Sequence, residues 1–166
     1  MVKVFDSTAC VLGEGPLWHP GLQCLFWFDI LEKRLFQSTD DGAINRFFDE
    51  NVSAAGWVDE DRLLMASETA LSLLDIGTGK RELLAALEED NPGTRSNDGR
   101  ADPFGGFWIG TMGKAAKSAA GAIYRFYKGE VRKLVDNVTV SNAICFSPDG
   151  TRAYFSDTTE QTINTW

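Results

Sequence analysis

Trp18-His19-Pro20 followed by Leu25-Phe26-Trp27-Phe28-Asp29, and Phe146-Ser147-Pro148 followed by Ala153-Tyr154-Phe155-Ser156-Asp157, are two versions of one pattern. In each, an apolar strand follows a proline-containing turn and closes on an aspartate, with the same proline-to-aspartate interval. Asp102-Pro103-Phe104-Gly105-Gly106 before Phe107-Trp108-Ile109 is a third copy, and Asp59-Glu60-Asp61-Arg62 before Leu63-Leu64-Met65-Ala66 is a weaker fourth. Strand centres fall near residues 27, 65, 108 and 154. A period of about 40–50 residues is how stacked blades announce themselves in a sequence. Each unit continues into a second strand, Arg34-Leu35-Phe36, Ala70–Leu74 or Ala122–Phe126, as a four-stranded antiparallel blade requires. The reading is an all-β chain, a single incomplete β-propeller domain over residues 1–166.

One stretch pulls the other way. Lys80–Asp90, with Leu83, Leu84, Ala85, Ala86 and Leu87 between charged ends, has the composition of a short helix. Its place after the turn Asp75-Ile76-Gly77-Thr78-Gly79 instead predicts an outer strand and the approach to the next blade, because context overrides propensity readily at a sheet edge. Four units do not close a circle, and an arc leaves blade edges open, which predicts self-association.

Bulk composition bounds the function. A chain of 166 residues that is 43% hydrophobic and 11% aromatic can bury a real core. Its 16 basic and 24 acidic residues give a net charge of −8, which repels a phosphate backbone and argues against nucleic acid as a partner. No apolar run is long enough for a membrane span, and Met1–Cys10 lacks the pattern of a secretory signal, so a cytoplasmic protein is expected. Cys10, Cys24 and Cys145 have no metal-ligand spacing and read as reduced strand or core residues. Trp18, Trp27, Trp57 and Trp108 likewise read as strand and core residues.

Three polar segments stand ahead of apolar strands and do not read as core. The longest is Arg95-Ser96-Asn97-Asp98-Gly99-Arg100-Ala101-Asp102-Pro103, and the others are Gly13-Glu14-Gly15-Pro16 and Ser141-Asn142-Ala143. An arginine, a carboxamide and a carboxylate within four positions need buried partners or a cavity to face. Each also has a plainer reading: Glu14 as a solvated turn acid, Asn142 as a turn or cap residue, Asp98 as a loop-fixing side chain, Arg95 as a surface ion-pair partner.

These motifs resemble the gluconolactonase and regucalcin (senescence marker protein) family, six-bladed propellers with one divalent metal on the axis. The resemblance rests on Gly13-Glu14-Gly15-Pro16, on Arg95-Ser96-Asn97-Asp98-Gly99 with Gly110-Thr111-Met112, and on Ser141-Asn142 with Ser147-Pro148-Asp149-Gly150, in the family's order. It implies a propeller of which this chain forms the N-terminal part, about three and a half blades. It also implies a metal-dependent sugar lactone hydrolase that opens an aldonolactone ring with metal-activated water. Carried over by position, Glu14 and Asn142 are metal ligands, and Arg95 and Asn97 hold the substrate. The family's remaining ligand, an aspartate of a later blade that also serves as catalytic base, has no counterpart among these residues, so no catalytic base is assigned. Gly113-Lys114-Ala115-Ala116 stands where some members place an acidic substrate contact.

Carboxylate and amide oxygens suit Ca²⁺, and Mg²⁺ or Mn²⁺ as well, while Zn²⁺ also accepts oxygen. A sugar lactone is the expected small-molecule partner. Other chemistries lack their residues: His19 is the only histidine, and there is no Gly-x-Ser-x-Gly elbow. The alternative is a non-catalytic propeller fragment acting as a metal-binding or interaction module.

Overall fold

The computed structural model describes all residues from Met1 to Trp166, and the ordered elements are strands throughout. Blade one contains β1 (Gly13–His19), β2 (Cys24–Asp29), β3 (Arg34–Thr39) and β4 (Gly42–Phe47). Blade two contains β5 (Val52–Trp57), β6 (Arg62–Ser67), β7 (Ala70–Asp75) and β8 (Arg81–Ala86). Blade three contains β9 (Thr94–Ala101), β10 (Phe107–Gly113), β11 (Gly121–Tyr127) and β12 (Glu130–Val138). Blade four contains β13 (Ser141–Phe146), β14 (Ala153–Asp157) and β15 (Thr162–Thr165). Every sheet is an antiparallel meander in chain order, so the repeat read from the sequence is the architecture. The helix-like composition of Lys80–Asp90 loses to context, since Arg81–Ala86 pairs along β7 as the outer strand of blade two.

The core lies between blades, because adjacent blades bury their facing sides against each other. Phe26, Phe28 and Leu35 of blade one meet Val52, Leu63, Met65 and Leu74 of blade two. Leu71 and Leu87 meet Phe107, Ile109 and Tyr124 at the next interface, and Trp108, Ile123 and Val138 meet Ile144, Ala153 and Phe155 at the third. All seven residues of β10 are buried, as expected for a strand flanked on both sides. Each fully buried Phe or Ile here contributes about 1.5–3 kcal/mol by leaving water. The tryptophans divide: Trp108 is in the core, whereas Trp18 and Trp57, expected as core or strand residues, sit on strands with about half their surface exposed (51% and 47%). They occupy the C-terminal ends of β1 and β5, where Trp57 packs edge-on against the buried His19 of blade one.

The aspartate that closes the repeat has a structural task. Asp29 accepts hydrogen bonds from the backbone N–H groups of Val11 and Leu12 at 2.9 and 3.1 Å and from the Arg34 guanidinium at 2.9 Å. Asp157 accepts from Thr139 N–H and Val140 N–H at 2.6 and 3.1 Å. Each carboxylate thus ties its second strand to the segment entering the first. Burial acts to raise both carboxyl pKa values, but these donors outweigh it and hold both below the ordinary value. His19 is fully buried, its Nδ1 accepting from the nearby Leu22 N–H at 3.0 Å and its Nε2 donating across to the Asp59 carbonyl of blade two at 3.1 Å. All three cysteines are free thiols; Cys24 is buried, but Cys145 is exposed.

Candidate active site

The first strand of each blade lies innermost, and β1, β5, β9 and β13 pack side by side in that order. Each carries one extra residue against its partner strand. Glu14-to-Leu17 spans three steps against two from Phe28 to Phe26, and Val52-to-Ala54 spans two against one from Ser67 to Ala66. Ser96-to-Gly99 spans three against two from Thr111 to Ile109, and Asn142-to-Cys145 three against two from Ser156 to Tyr154. These are β-bulges, which re-aim side chains. Structural equivalence places Glu14, Ser53, Ser96 and Asn142 at the same point of their blades, all at the N-terminal ends of the inner strands.

Backbone conformation confirms the equivalence for blades one and four. Gly15 (φ +60°) follows Glu14 and Ala143 (φ +58°) follows Asn142, both left-handed. At Gly15 a side chain is also excluded by space, since a Cβ there would collide with the Ser53 carbonyl oxygen of the neighbouring strand. The glycine lets β1 approach β5.

A buried polar chain links the inner strands. Arg95 is 6% exposed, and its Nη1 donates to the Ser96 carbonyl at 2.8 Å and to Asn97 Oδ1 at 2.7 Å. Asn97 Nδ2 donates to the Ser141 carbonyl at 2.8 Å and to Asn142 Oδ1 at 3.3 Å, and Asn142 Nδ2 donates to Thr158 Oγ1 at 2.8 Å. Ser53 Oγ and Ser96 Oγ, both fully buried, are 2.7 Å apart and join β5 to β9. Asp98 accepts from Ile144 N–H at 2.7 Å, and so braces β9 against β13. Burial raises the Asp98 carboxyl, and the Ile144 and Gly99 amides and Arg100 act against that rise.

Arg95 makes no ion pair, so the surface-partner reading fails. Burial pulls its guanidinium below the ordinary value, while the charges of Glu14 and Glu68 oppose the shift. Glu14 itself is exposed. Glu68 pairs with Lys114 at 3.2 Å, which ties the Gly113–Ala116 segment to the end of β6.

The family described as SMP-30/Gluconolactonase/LRE-like region matches residues 12–166. This chain belongs to that family. A Rhizobium meliloti protein assigned as a sugar lactone lactonase is 44% identical over 160 residues, which are 94% of this chain and 53% of that protein. The 6-deoxy-6-sulfogluconolactonase of Pseudomonas putida is 33% identical over 95% of this chain and 55% of its own length. A crystal structure of a calcium-binding protein, regucalcin, from Agrobacterium tumefaciens superposes with a TM-score of 0.94 at 42% identity, covering 96% of this chain and 55% of that one. The chain therefore spans just over half the length of the relatives it matches.

Of the residues singled out in the sequence, Glu14, Arg95, Asn97 and Asn142, the structure sets Arg95, Asn97 and Asn142 in one hydrogen-bonded chain, and the Glu14 charge acts on Arg95. Ser53, Ser96 and Thr158 were missed as participants. Ser53 sits in Val52-Ser53-Ala54-Ala55, an apolar run without a motif, and only the strand register equates it with Glu14. No cluster of three His, Cys, Asp or Glu side chains gathers anywhere in the chain. Glu14 offers a carboxylate and Asn142 an amide oxygen at equivalent positions of blades one and four, hard donors of the kind that oxygen-preferring divalent ions take.

Proposed function

We propose that this chain forms the substrate-positioning and part of the metal-binding apparatus of a sugar lactone hydrolase of the gluconolactonase type. The observation that carries the reading is a buried guanidinium with no carboxylate partner, held by Asn97 and acted on by the Glu14 charge at the bulged ends of the inner strands. Burying a cation unpaired is costly, and a fold that tolerates it gains only if the free donors meet a ligand. Arg95 spends Nη1 on the chain and keeps Nη2 and Nε for a lactone hydroxyl or the oxygen that gains charge as the ring opens. Asn97 holds Arg95 in place through Oδ1 and ties the pair to β13.

Glu14 and Asn142 are the residues that hold the divalent ion, Ca²⁺ or Zn²⁺ with Mg²⁺ or Mn²⁺ as substitutes. When bound, such an ion polarises a lactone carbonyl and acidifies water. Family membership supports a sugar lactone as the substrate class, and the relatives' names point the same way. Two protein donors fall short of the six or more oxygens calcium takes, so weak affinity is expected of these residues alone. No helix is long and apolar enough to cross a membrane, and the reading places the protein in the cytoplasm.

Thermal unfolding in CaCl₂, MnCl₂ or ZnCl₂ tests the metal assignment, alongside gluconolactone hydrolysis followed by acid release. At about ten times Kd the ion adds ~1.4 kcal/mol of stability, a rise of about 3–6 °C in Tm. Glu14→Gln and Asn142→Ala each abolish that rise. A rise preserved in both variants, or none with any ion, refutes the assignment; micromolar affinity together with turnover refutes the two-donor account. A metal-binding module without catalysis shows the rise without hydrolysis even when supplied with the remaining blades.

A further inference from the structure

The side-chain amides of Asn97 and Asn142 have a defined polarity, and it can be deduced from one end. Arg95 has only donors, so the Asn97 atom 2.7 Å from its Nη1 must be the oxygen. Asn97 therefore presents Nδ2 to β13, where it meets the Ser141 carbonyl at 2.8 Å. The Asn142 atom at 3.3 Å from that Nδ2 must in turn be an acceptor, which leaves the amino group of Asn142 for Thr158 Oγ1 at 2.8 Å. An amide lacking such partners can turn over, exchanging its oxygen for a nitrogen that cannot ligate a cation.

We infer that Thr158 is a positioning residue for the metal-binding amide: by accepting from Asn142 Nδ2 it holds Oδ1 on the Asn97 side, completing a relay of polarity that starts at Arg95. Asn97 Nδ2 selects the Oδ1 end of Asn142, but that contact is long, at 3.3 Å, and leaves Oδ1 free to serve a second partner. The Thr158 hydroxyl can accept or donate and so does not choose the end; its shorter contact, at 2.8 Å, anchors the amide in that place. Thr158 is suited to it because its backbone is fixed independently, its N–H donating to the Val140 carbonyl at 2.9 Å beside the Asp157 staple. It is exposed, so replacing its hydroxyl by a methyl group leaves the core untouched.

The inference rests on Asn142 acting as a metal ligand, and two readouts separate the claims. Mn²⁺ titration by calorimetry compares wild type, Thr158→Val and Thr158→Ser. The isosteric Val variant is expected to bind about tenfold more weakly, as second-layer partners of metal ligands commonly show, and the Ser variant to return within about twofold of wild type. Both variants keep the wild-type Tm without metal. Equal affinity in Thr158→Val, or no recovery in Thr158→Ser, overturns the positioning role. If wild type binds no ion, the ligand assignment of Asn142 falls, and the relay is judged on the Asn142 side-chain amide resonances without metal. Those resonances shift in Thr158→Val and return in Thr158→Ser if the relay exists; unchanged resonances overturn it.

Discussion

Gly15→Ala should be far more damaging than an alanine at an ordinary turn glycine, and the structure says by how much. Gly15 has φ +60°, so any L-residue there incurs the left-handed penalty, about 1 kcal/mol or somewhat more. The new Cβ would also strike the Ser53 carbonyl oxygen, lie 2.9 Å from Phe28 Cδ2 and sit 3.4 Å from Ala54 Cα. Two of these are backbone atoms of the next inner strand and cannot swing away. Overpacking of this kind typically costs about 1–3 kcal/mol, and the total comes to about 2–4 kcal/mol. For a domain of this size that is a fall of roughly 6–12 °C in Tm at about 3 kcal/mol. Gly129 supplies the control: it is also left-handed, at φ +87°, but a Cβ there meets nothing within 4 Å. Gly129→Ala therefore isolates the backbone penalty, and the difference between the variants measures the contact of β1 with β5. Urea denaturation followed by tryptophan fluorescence reads both. Equal losses in the two variants would mean that β1 does not approach β5 as described.

Two further expectations follow from buried polar groups. Ser53→Ala and Ser96→Ala should each cost about 1–3 kcal/mol, because each strands the other hydroxyl in a water-free interface, and the double variant should cost clearly less than the sum; an additive double-mutant cycle by urea denaturation would show the pair is not coupled. For the two staples, folded-state pKa values lie below the unfolded value of about 3.9, so their stabilisation is complete above that pH and is lost as pH falls through the folded values. Asp29→Asn and Asp157→Asn should flatten the acid limb of a stability–pH profile between about pH 5 and pH 2, and an unchanged slope in both would place the acid sensitivity elsewhere.

The repeat was legible because its marker residue does backbone work. Asp29 and Asp157 recur at one interval from proline because each must reach the same pair of N–H groups. Blade two reads weakly for the converse reason: Ser67 pairs with Val52 at the strand end, and its short hydroxyl closes its own turn on Ala70 at 3.1 Å instead. The polar run at Arg95 was legible because a buried guanidinium and amide are hard to explain otherwise. The tryptophans were legible as strand residues but not in their depth, since an aromatic in a strand does not by itself say how much of its ring the neighbouring blade covers. Bulges could not be read at all, because an extra residue is defined only against the partner strand.

That hidden feature separates the four inner strands into two kinds. The bulges of β1 and β13 contain a left-handed residue, Gly15 or Ala143, and they leave Glu14 exposed and Asn142 half-buried. No residue of β5 or β9 is left-handed, and those bulges turn Ser53, Ser96 and Asn97 inward, where they bond to one another's strands or to β13. Glycine tolerates the left-handed turn, whereas at Ala143 it costs about 1 kcal/mol, and that residue stands beside an amide held from both sides, by Asn97 and by Thr158. Ala143→Gly should therefore relieve backbone strain while leaving the Asn142 partners in place.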